Sequence, residues 1–411
     1  MTVTAGVAAF YTPLKHPFQT EASGDRQIAW HLLDGLGAMG FRSEVASRLA
    51  TWQRRFDSTD AVRLERAAAL VAQRVLRRYR RRPPAERPRV WMTYQNYYRC
   101  PDLLGPAVST ALGIPYVLVA PAVSGSSRRT AFRPWVSAVR LAIRRADLVF
   151  AMSPRDLPGL ARLRGEAFAA LRTVLLPPAV DLRLFAANTA ARAAARATVA
   201  GCFPGGQGPV CLTVAMMRVA DKLDSYRLLA DALGRLLADR ATPPWRLLVV
   251  GDGPARSAVE QALGPLPADR VCLLGAVEPK ALPAYYLGAD LFAFPGIGED
   301  AGLVYLEAAA AGLPVVACHG PGPSYMVAPG GGLLTAPTTE AFAEALRTLL
   351  EKSEERRRMG ETGRRFVETE RSLEAFQERL RQGFLRLGLP CTRTRSTQRD
   401  ATPSTASSNQ A

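Results

Sequence analysis

The stretch Phe294-Pro-Gly-Ile-Gly-Glu-Asp-Ala-Gly-Leu-Val-Tyr-Leu-Glu307 decides the fold. It reads as the end of a strand, a loop of small residues and the start of a helix running from Leu303 to Ala311. Gly312-Leu-Pro then leads into a strand over Val315 to Cys318. A helix that begins near Ala301 leaves the amides of Gly302, Leu303 and Val304 unpaired above the sheet, which makes an anion site. Glu307 lies on the same helix face, about 5.4 Å further along. A diphosphate fits at the amides, and Glu307 then reaches an adjoining ribose diol. Glu299, in the loop, projects toward the other end of the diphosphate, where a transferred sugar would lie and where a carboxylate can bind hydroxyls or stabilise positive charge.

Working outward, the same strand-then-helix theme repeats through the chain. Strands are expected at Val7–Tyr11, 90–94, 116–119, 148–152, 210–214, 245–250, 271–274 and 291–294. Helices are expected near 27–39, 102–112, 135–143, 226–237, 338–351 and 354–387, the last kinked near Arg371. Such alternation predicts an α/β chain whose mainly parallel sheets carry helices on both faces and bind ligands beyond the carboxyl ends of their strands. The theme breaks at LLPPAVDLRLF (175–185) and restarts at Val210, and 411 residues exceed what one core normally organises. The expected division is 1–180, 181–370, a crossover helix 371–390 and a tail 391–411. From 392 that tail has no aromatic, Leu, Ile, Val or Met, a composition that predicts disorder.

Other edge loops carry polar groups. Met216-Met-Arg218-Val-Ala-Asp-Lys222 follows the first strand of the second half, so Arg218 and Lys222 are placed to neutralise a leaving diphosphate. Gly251-Asp-Gly253-Pro follows a strand, but Arg256 stands where a dinucleotide fingerprint needs its third glycine. A tight turn therefore explains Gly251 and Gly253 better than a bound NAD or FAD. In the first half, Ser23-Gly24-Asp25-Arg26 precedes a helix. Gly24 permits close approach to a ligand, and Asp25 serves equally as a helix cap. Tyr94-Gln-Asn-Tyr-Tyr98 suits stacking on an acceptor and aromatic packing alike.

No apolar run reaches the length of a membrane-spanning helix, and the N-terminus lacks a basic leader before its apolar stretch, so a cytoplasmic location is expected. Six cysteines are scattered without a CxxC pair, three histidines form no cluster and no DxD pair occurs, so no disulfide framework or metal site is indicated. The net charge of +17 has no nucleic-acid recognition motif beside it. Its densest part, Arg74, Arg77, Arg78, Arg80, Arg81, Arg82, Arg87 and Arg89, is either a solvated face or a contact for anionic lipid headgroups at the inner face of the membrane.

The run GEDAGLVYLEAAAAGLPVVA, GDGP, the Arg218 and Lys222 restart and LLPPAVDLRLF together resemble the retaining family 4 glycosyltransferases of bacteria, over about residues 175–335. The Glu299-x7-Glu307 spacing with Gly302-Leu303-Val304 is the specific part of the likeness. It departs from the family in having Met217 before Arg218 and an interval of four to Lys222. The resemblance implies a GT-B fold, with two Rossmann-like lobes facing across a cleft and a final helix crossing back to the first. It also implies metal-independent hexosyl transfer with retention, Glu307 on the ribose and Glu299 near the donor sugar. The leaving phosphate itself would help deprotonate the acceptor. The expected substrates are a nucleotide-sugar donor, with no separate cofactor, and a glycan or lipid-linked acceptor of surface polysaccharide, lipopolysaccharide or glycolipid synthesis. Two alternatives stand beside this reading: a nucleotide-sugar epimerase or hydrolase, and a catalytically idle donor-binding membrane adaptor.

Overall fold

The computed structural model describes residues 5–18, 23–123 and 132–391. The expected disordered tail, from residue 392, lies outside these. The chain packs as two compact units, Met1–Gln19 with Ala29–Leu175 and Arg379–Ala411, and Thr20–Ile28 with Leu176–Glu378.

The first unit holds β1 (Gly6–Tyr11), β2 (Phe41–Val45), β3 (Pro88–Asn96), β4 (Tyr116–Pro121), β5 (Leu148–Ala151) and β6 (Thr173–Leu175), in the parallel order β2-β1-β3-β4-β5-β6. Chain direction across this sheet reverses between β1 and β3, the order found in flavodoxin-like folds. The long helix Ser58–Arg80 makes that reversal. Asp57 caps it by accepting from the amides of Thr59 and Asp60, and Ala61, Ala68, Ala72, Val75 and Tyr79 form its buried stripe. With Val108, Val139 and Ile143 from the helices Gly105–Leu112 and Arg133–Arg145, this stripe covers Trp91, Tyr116 and Leu118 on one face of the sheet.

The second unit holds β7 (Val210–Val214), β8 (Arg246–Val250), β9 (Val271–Gly275), β10 (Leu291–Ala293), β11 (Val315–Cys318) and β12 (Gly332–Thr335). They pair in parallel as β12-β11-β10-β7-β8-β9, so the reversal lies between β7 and β10. That is the Rossmann order, and ligands of such sheets bind beyond the strand ends at the reversal point. β7, β11 and the helix Leu303–Ala311 fall where the sequence puts them. The latter is apolar all round because seven of its nine residues are buried.

Three details differ from expectation. The units divide between Leu175 and Leu176 rather than at 180, because Val180 already belongs to the second: its amide donates to the Arg371 carbonyl at 2.9 Å and it bridges Ser372. The helix expected over 354–387 with a kink near Arg371 does break at that point, and more fully than a kink: Ser353–Phe366 runs into a π-type turn, Val367–Arg371, and extended Ser372 separates it from Leu373–Arg386. The second unit ends inside that last helix, at Glu378, and beyond it Phe384 packs on Phe41 and Phe150 of the first. Finally, two of the scattered cysteines lie near one another: burial, with the neighbouring Cys202 thiol, pushes the Cys272 thiol up to about 11.

Candidate functional site

The loops that follow β7 and β10 bring the strongest sequence candidates together at the reversal point. β10 ends at Ala293, and the chain turns through Gly296, Gly298 and Gly302, all at positive φ, before the helix Leu303–Ala311 begins. Gly302 is the left-handed residue that caps the helix, whose first turn starts at Leu303. The Tyr305 amide already bonds the Gly302 carbonyl at 3.1 Å. The amides of Gly302, Leu303 and Val304 have no backbone partner among the described residues, Gly302 standing at the cap and the other two in the first turn. Such amides, with the positive end of the helix dipole, form an anion site.

Glu299 is half-buried in the loop and forms an ion pair with Lys222, which comes from the first turn of the helix Asp221–Ala238. The Lys222 ammonium also sits 5.0 Å from the Phe294 ring centre. The loop backbone is pinned on its far side, where the Gly322 amide donates to the Glu299 carbonyl at 2.8 Å and the Cys318 amide to that of Pro295 at 2.8 Å. Arg218 remains exposed, its guanidinium 3.1 Å from the Met216 sulfur. Its loop is braced from behind by GDGP, with Met217 donating to the Asp252 carbonyl and Ala255 donating to that of Met217, both at 2.9 Å. The backbones run so close that a Cβ on Gly251 would lie 2.0 Å from the Ala215 carbonyl oxygen, and one on Gly253 2.4 Å from that of Met217. Both glycines thus support the Arg218 loop by close backbone approach.

Glu307 points from the next helical turn to Tyr286, whose hydroxyl donates to it at 2.8 Å. Burial pushes the Glu307 carboxyl above its usual range, and hydrogen bonds from Tyr286 and Gln27 oppose the rise. The residue keeps partial contact with solvent. Tyr286 and Gln27 were missed from sequence: Tyr286 lies in the short helix Leu282–Gly288, 21 residues before Glu307, and no local pattern marks it. Gly24 and Asp25 open the helix Gly24–Ala38 within the segment that packs with the second unit. A Cβ on Gly24 would meet Leu303 Cδ1 at 3.4 Å, which puts that glycine beside the anion-binding turn. The cap is not Asp25: the Ser23 hydroxyl accepts from the Arg26 amide at 3.3 Å, and Asp25 occupies the first turn.

Residues 213–366 match the family of glycosyl transferases group 1. This part of the chain is a glycosyl transferases group 1 domain. The chain is 34% identical over 227 residues to D-inositol 3-phosphate glycosyltransferase of Nocardia farcinica, covering 53% of this chain and 48% of that protein. It is 32% identical over 202 residues to the GDP-mannose-dependent alpha-(1-6)-phosphatidylinositol monomannoside mannosyltransferase of Mycolicibacterium smegmatis, covering 47% and 50%. The chain therefore spans about half the length of these relatives. Among solved structures, HepE of Anabaena in complex with UDP superposes over 92% of this chain and 99% of its own, with a TM-score of 0.67 at 17% identity. The fold is thus GT-B type, with the group 1 domain holding every candidate from Arg218 to Glu307.

The basic segment divides in two. Arg82 pairs with Glu44 at 2.6 Å, Arg78 donates to the Ala46 carbonyl at 2.9 Å, Arg80 to that of Ala111 at 3.0 Å and Arg87 to that of Arg80 at 2.9 Å. These four stitch the Ser58–Arg80 helix end into the unit, whereas Arg74, Arg77 and Arg81 are exposed and share, by their spacing, one helix face with exposed Leu70. No helix of the described residues is long and apolar enough to cross a membrane. Among those residues, no group of three or more His, Cys, Asp or Glu is placed to hold a metal ion.

Proposed function

We propose that the chain transfers a hexosyl group from a nucleotide-sugar donor to a glycan or lipid-linked acceptor, with retention and without a metal ion, in bacterial surface polysaccharide, lipopolysaccharide or glycolipid synthesis. The observation that carries this reading is the meeting, at one reversal point, of the Leu303 and Val304 amides, the Lys222–Glu299 pair and the Tyr286–Glu307 pair. In it the donor diphosphate sits on the two amides, and its charge is met by Arg218 and Lys222. Glu307, ionised, accepts from the ribose diol and is aimed by Tyr286. An incoming diphosphate competes with Glu299 for the Lys222 ammonium, which leaves the Glu299 carboxylate to face the sugar as its anomeric carbon becomes positive. The bond between that carbon and the leaving phosphate oxygen breaks, the acceptor oxygen bonds on the same face, and the acceptor proton passes to the departing phosphate.

Two relatives support the substrate classes, since one is named for an inositol phosphate and the other for a lipid-linked mannoside and GDP-mannose. UDP is held by the HepE structure, so both nucleotides belong in the assay. In this reading the enzyme works in the cytoplasm at the inner face of the membrane, with Arg74, Arg77, Arg81 and Leu70 touching anionic lipid. The test is release of nucleoside diphosphate and of a labelled lipid or glycan product from UDP- and GDP-sugars with a bacterial lipid extract. Product in the lipid or glycan fraction supports transfer. Free sugar alone with either fraction supports a hydrolase, and liposome binding without turnover supports the adaptor.

A further inference from the structure

The loop between β10 and the helix Leu303–Ala311 carries Glu299 two residues after Ile297, and after Pro295 its own sequence does little to stiffen it, since Gly296, Gly298 and Gly302 all sit in it. Its far side is held by the Gly322 and Cys318 amides, and its near side by the neighbouring helix Asp221–Ala238. Asp221, Lys222 and Ser225 lie on one face of that helix's first turns by their spacing. Lys222 takes Glu299. The Asp221 carboxylate lies against Gly298, so close that a Cβ there would fall 2.3 Å from its oxygen. Ser225, fully buried, accepts from the Ile297 amide at 2.9 Å and donates to the Asp221 carbonyl at 2.9 Å. Its hydroxyl thus uses a donor and an acceptor at once and ties the loop to the helix at fixed length. The chain enters this turn through Ala220 at φ 65 and ψ −131, a conformation ordinarily left to glycine. Local strain is therefore held in the same few residues that present the tie.

We propose that Ser225 is a positioning residue for Glu299, holding the Ile297 amide so that the carboxylate two residues on faces the reacting sugar. The role rests on the transferase reading above. Ser225 touches no substrate; it acts through the loop backbone, and neither the Leu303 and Val304 amides nor Glu307 depend on it.

The test compares Ser225→Ala, Ser225→Thr and Ser225→Cys in the full chain, with Ser109→Ala as a control. Ser109 is a buried helical serine of the first unit, bonded to its own helix at the Gly105 carbonyl. Amide hydrogen exchange across 296–300 is expected to rise about fivefold or more in Ser225→Ala, the worth of one lost hydrogen bond. Turnover is expected to fall about 10- to 100-fold, the range for a reacting group displaced by about an ångström, with the KM for donor within about threefold of wild type. Ser225→Thr, which keeps the hydroxyl, should recover most of the turnover, and Ser109→Ala should leave it unchanged. Ser225→Cys keeps the volume if the alanine variant does not fold, and the same loss of turnover at steady KM is expected of it. Unchanged exchange at 296–300 overturns the tie. Faster exchange with unchanged turnover, or a loss carried by KM, overturns the positioning role. A wild-type protein that turns over no nucleotide sugar sinks the transferase reading and the role with it, while exchange still decides the tie on its own.

Discussion

The two sheets reverse direction at different strands, and the loops at the two reversal points are built in different ways. Beyond β7 and β10 the turns are glycine-rich, the first amides of the helix Leu303–Ala311 have no backbone partner among the described residues, and Arg218, Lys222, Glu299 and Glu307 each lie on the loop or helix that directly follows one of these two strands. Beyond β1 and β3 the turns are held by side chains from distant elements: the Tyr11 hydroxyl donates to the Leu49 carbonyl at 2.8 Å, and Asn96 accepts from the Asp102 amide at 2.9 Å while donating to the Val139 carbonyl at 3.2 Å. The positive-φ residue there is Gln95, near the end of β3, and Ala120 in the adjoining β4 is a second; neither is a glycine. A phosphate site can be made from backbone, and it then demands glycines and a helix start at fixed spacing. A surface shaped by remote side chains demands no such local pattern.

That contrast can be broken by substitution on either side. The largest effect is expected at Glu299: Glu299→Ala should lower turnover about 10²- to 10³-fold, as for loss of one group facing developing charge. Its thermal midpoint should move little, because a half-exposed ion pair adds little stability. An equally deep loss of thermal midpoint would instead make Glu299 structural. Next is Gly251→Ala, which forces a Cβ onto the Ala215 carbonyl at φ 144 and should cost about 3 kcal/mol or more by denaturant titration. A cost under about 1 kcal/mol would refute the close-approach account of GDGP.

A smaller effect comes from Tyr286→Phe, which should weaken donor binding about fivefold, near 1 kcal/mol. The pH dependence gives its sign. Glu307 titrates above an ordinary glutamate, so the ionised form that accepts from ribose is lost, and donor affinity falls, as pH drops through that raised value. Since Tyr286 holds the value down, its removal should move the affinity midpoint to higher pH; an unmoved midpoint in titrations from pH 4 to 8 would separate Tyr286 from Glu307. The smallest effect is at Ala120→Gly in the first unit. It relieves left-handed strain at a cost in chain entropy, so stability should change by less than about 1 kcal/mol, with donor affinity unaltered. A large change there would show that the β4 end of the first sheet is as finely built as the loops beyond β7 and β10.

How much was legible follows the same physics. The helix Leu303–Ala311, its flanking strands and the Glu299 and Glu307 positions could be read because strand, turn and helix succeed one another within 25 residues. Asp25 was read as a cap because its type suits one, but Ser23 two residues earlier has the reach. Tyr286, Gln27 and Ser225 stayed hidden because each meets its partner across a fold, 21 to 280 positions away in sequence, where periodicity carries no signal. The strand order of the first sheet was hidden for the same reason, since only packing shows on which side of β1 the Ser58–Arg80 helix returns the chain.

The central claim is that the second reversal point is a nucleotide-sugar site, and thermal-shift binding of UDP-, GDP- and ADP-sugars tests it most directly, with Glu307→Ala and Arg218→Ala in parallel. The account predicts that one nucleotide class raises the wild-type midpoint by several degrees at about 100 times its Kd and raises neither variant. Stabilisation by no nucleotide, or the same response in both variants as in wild type, would contradict it.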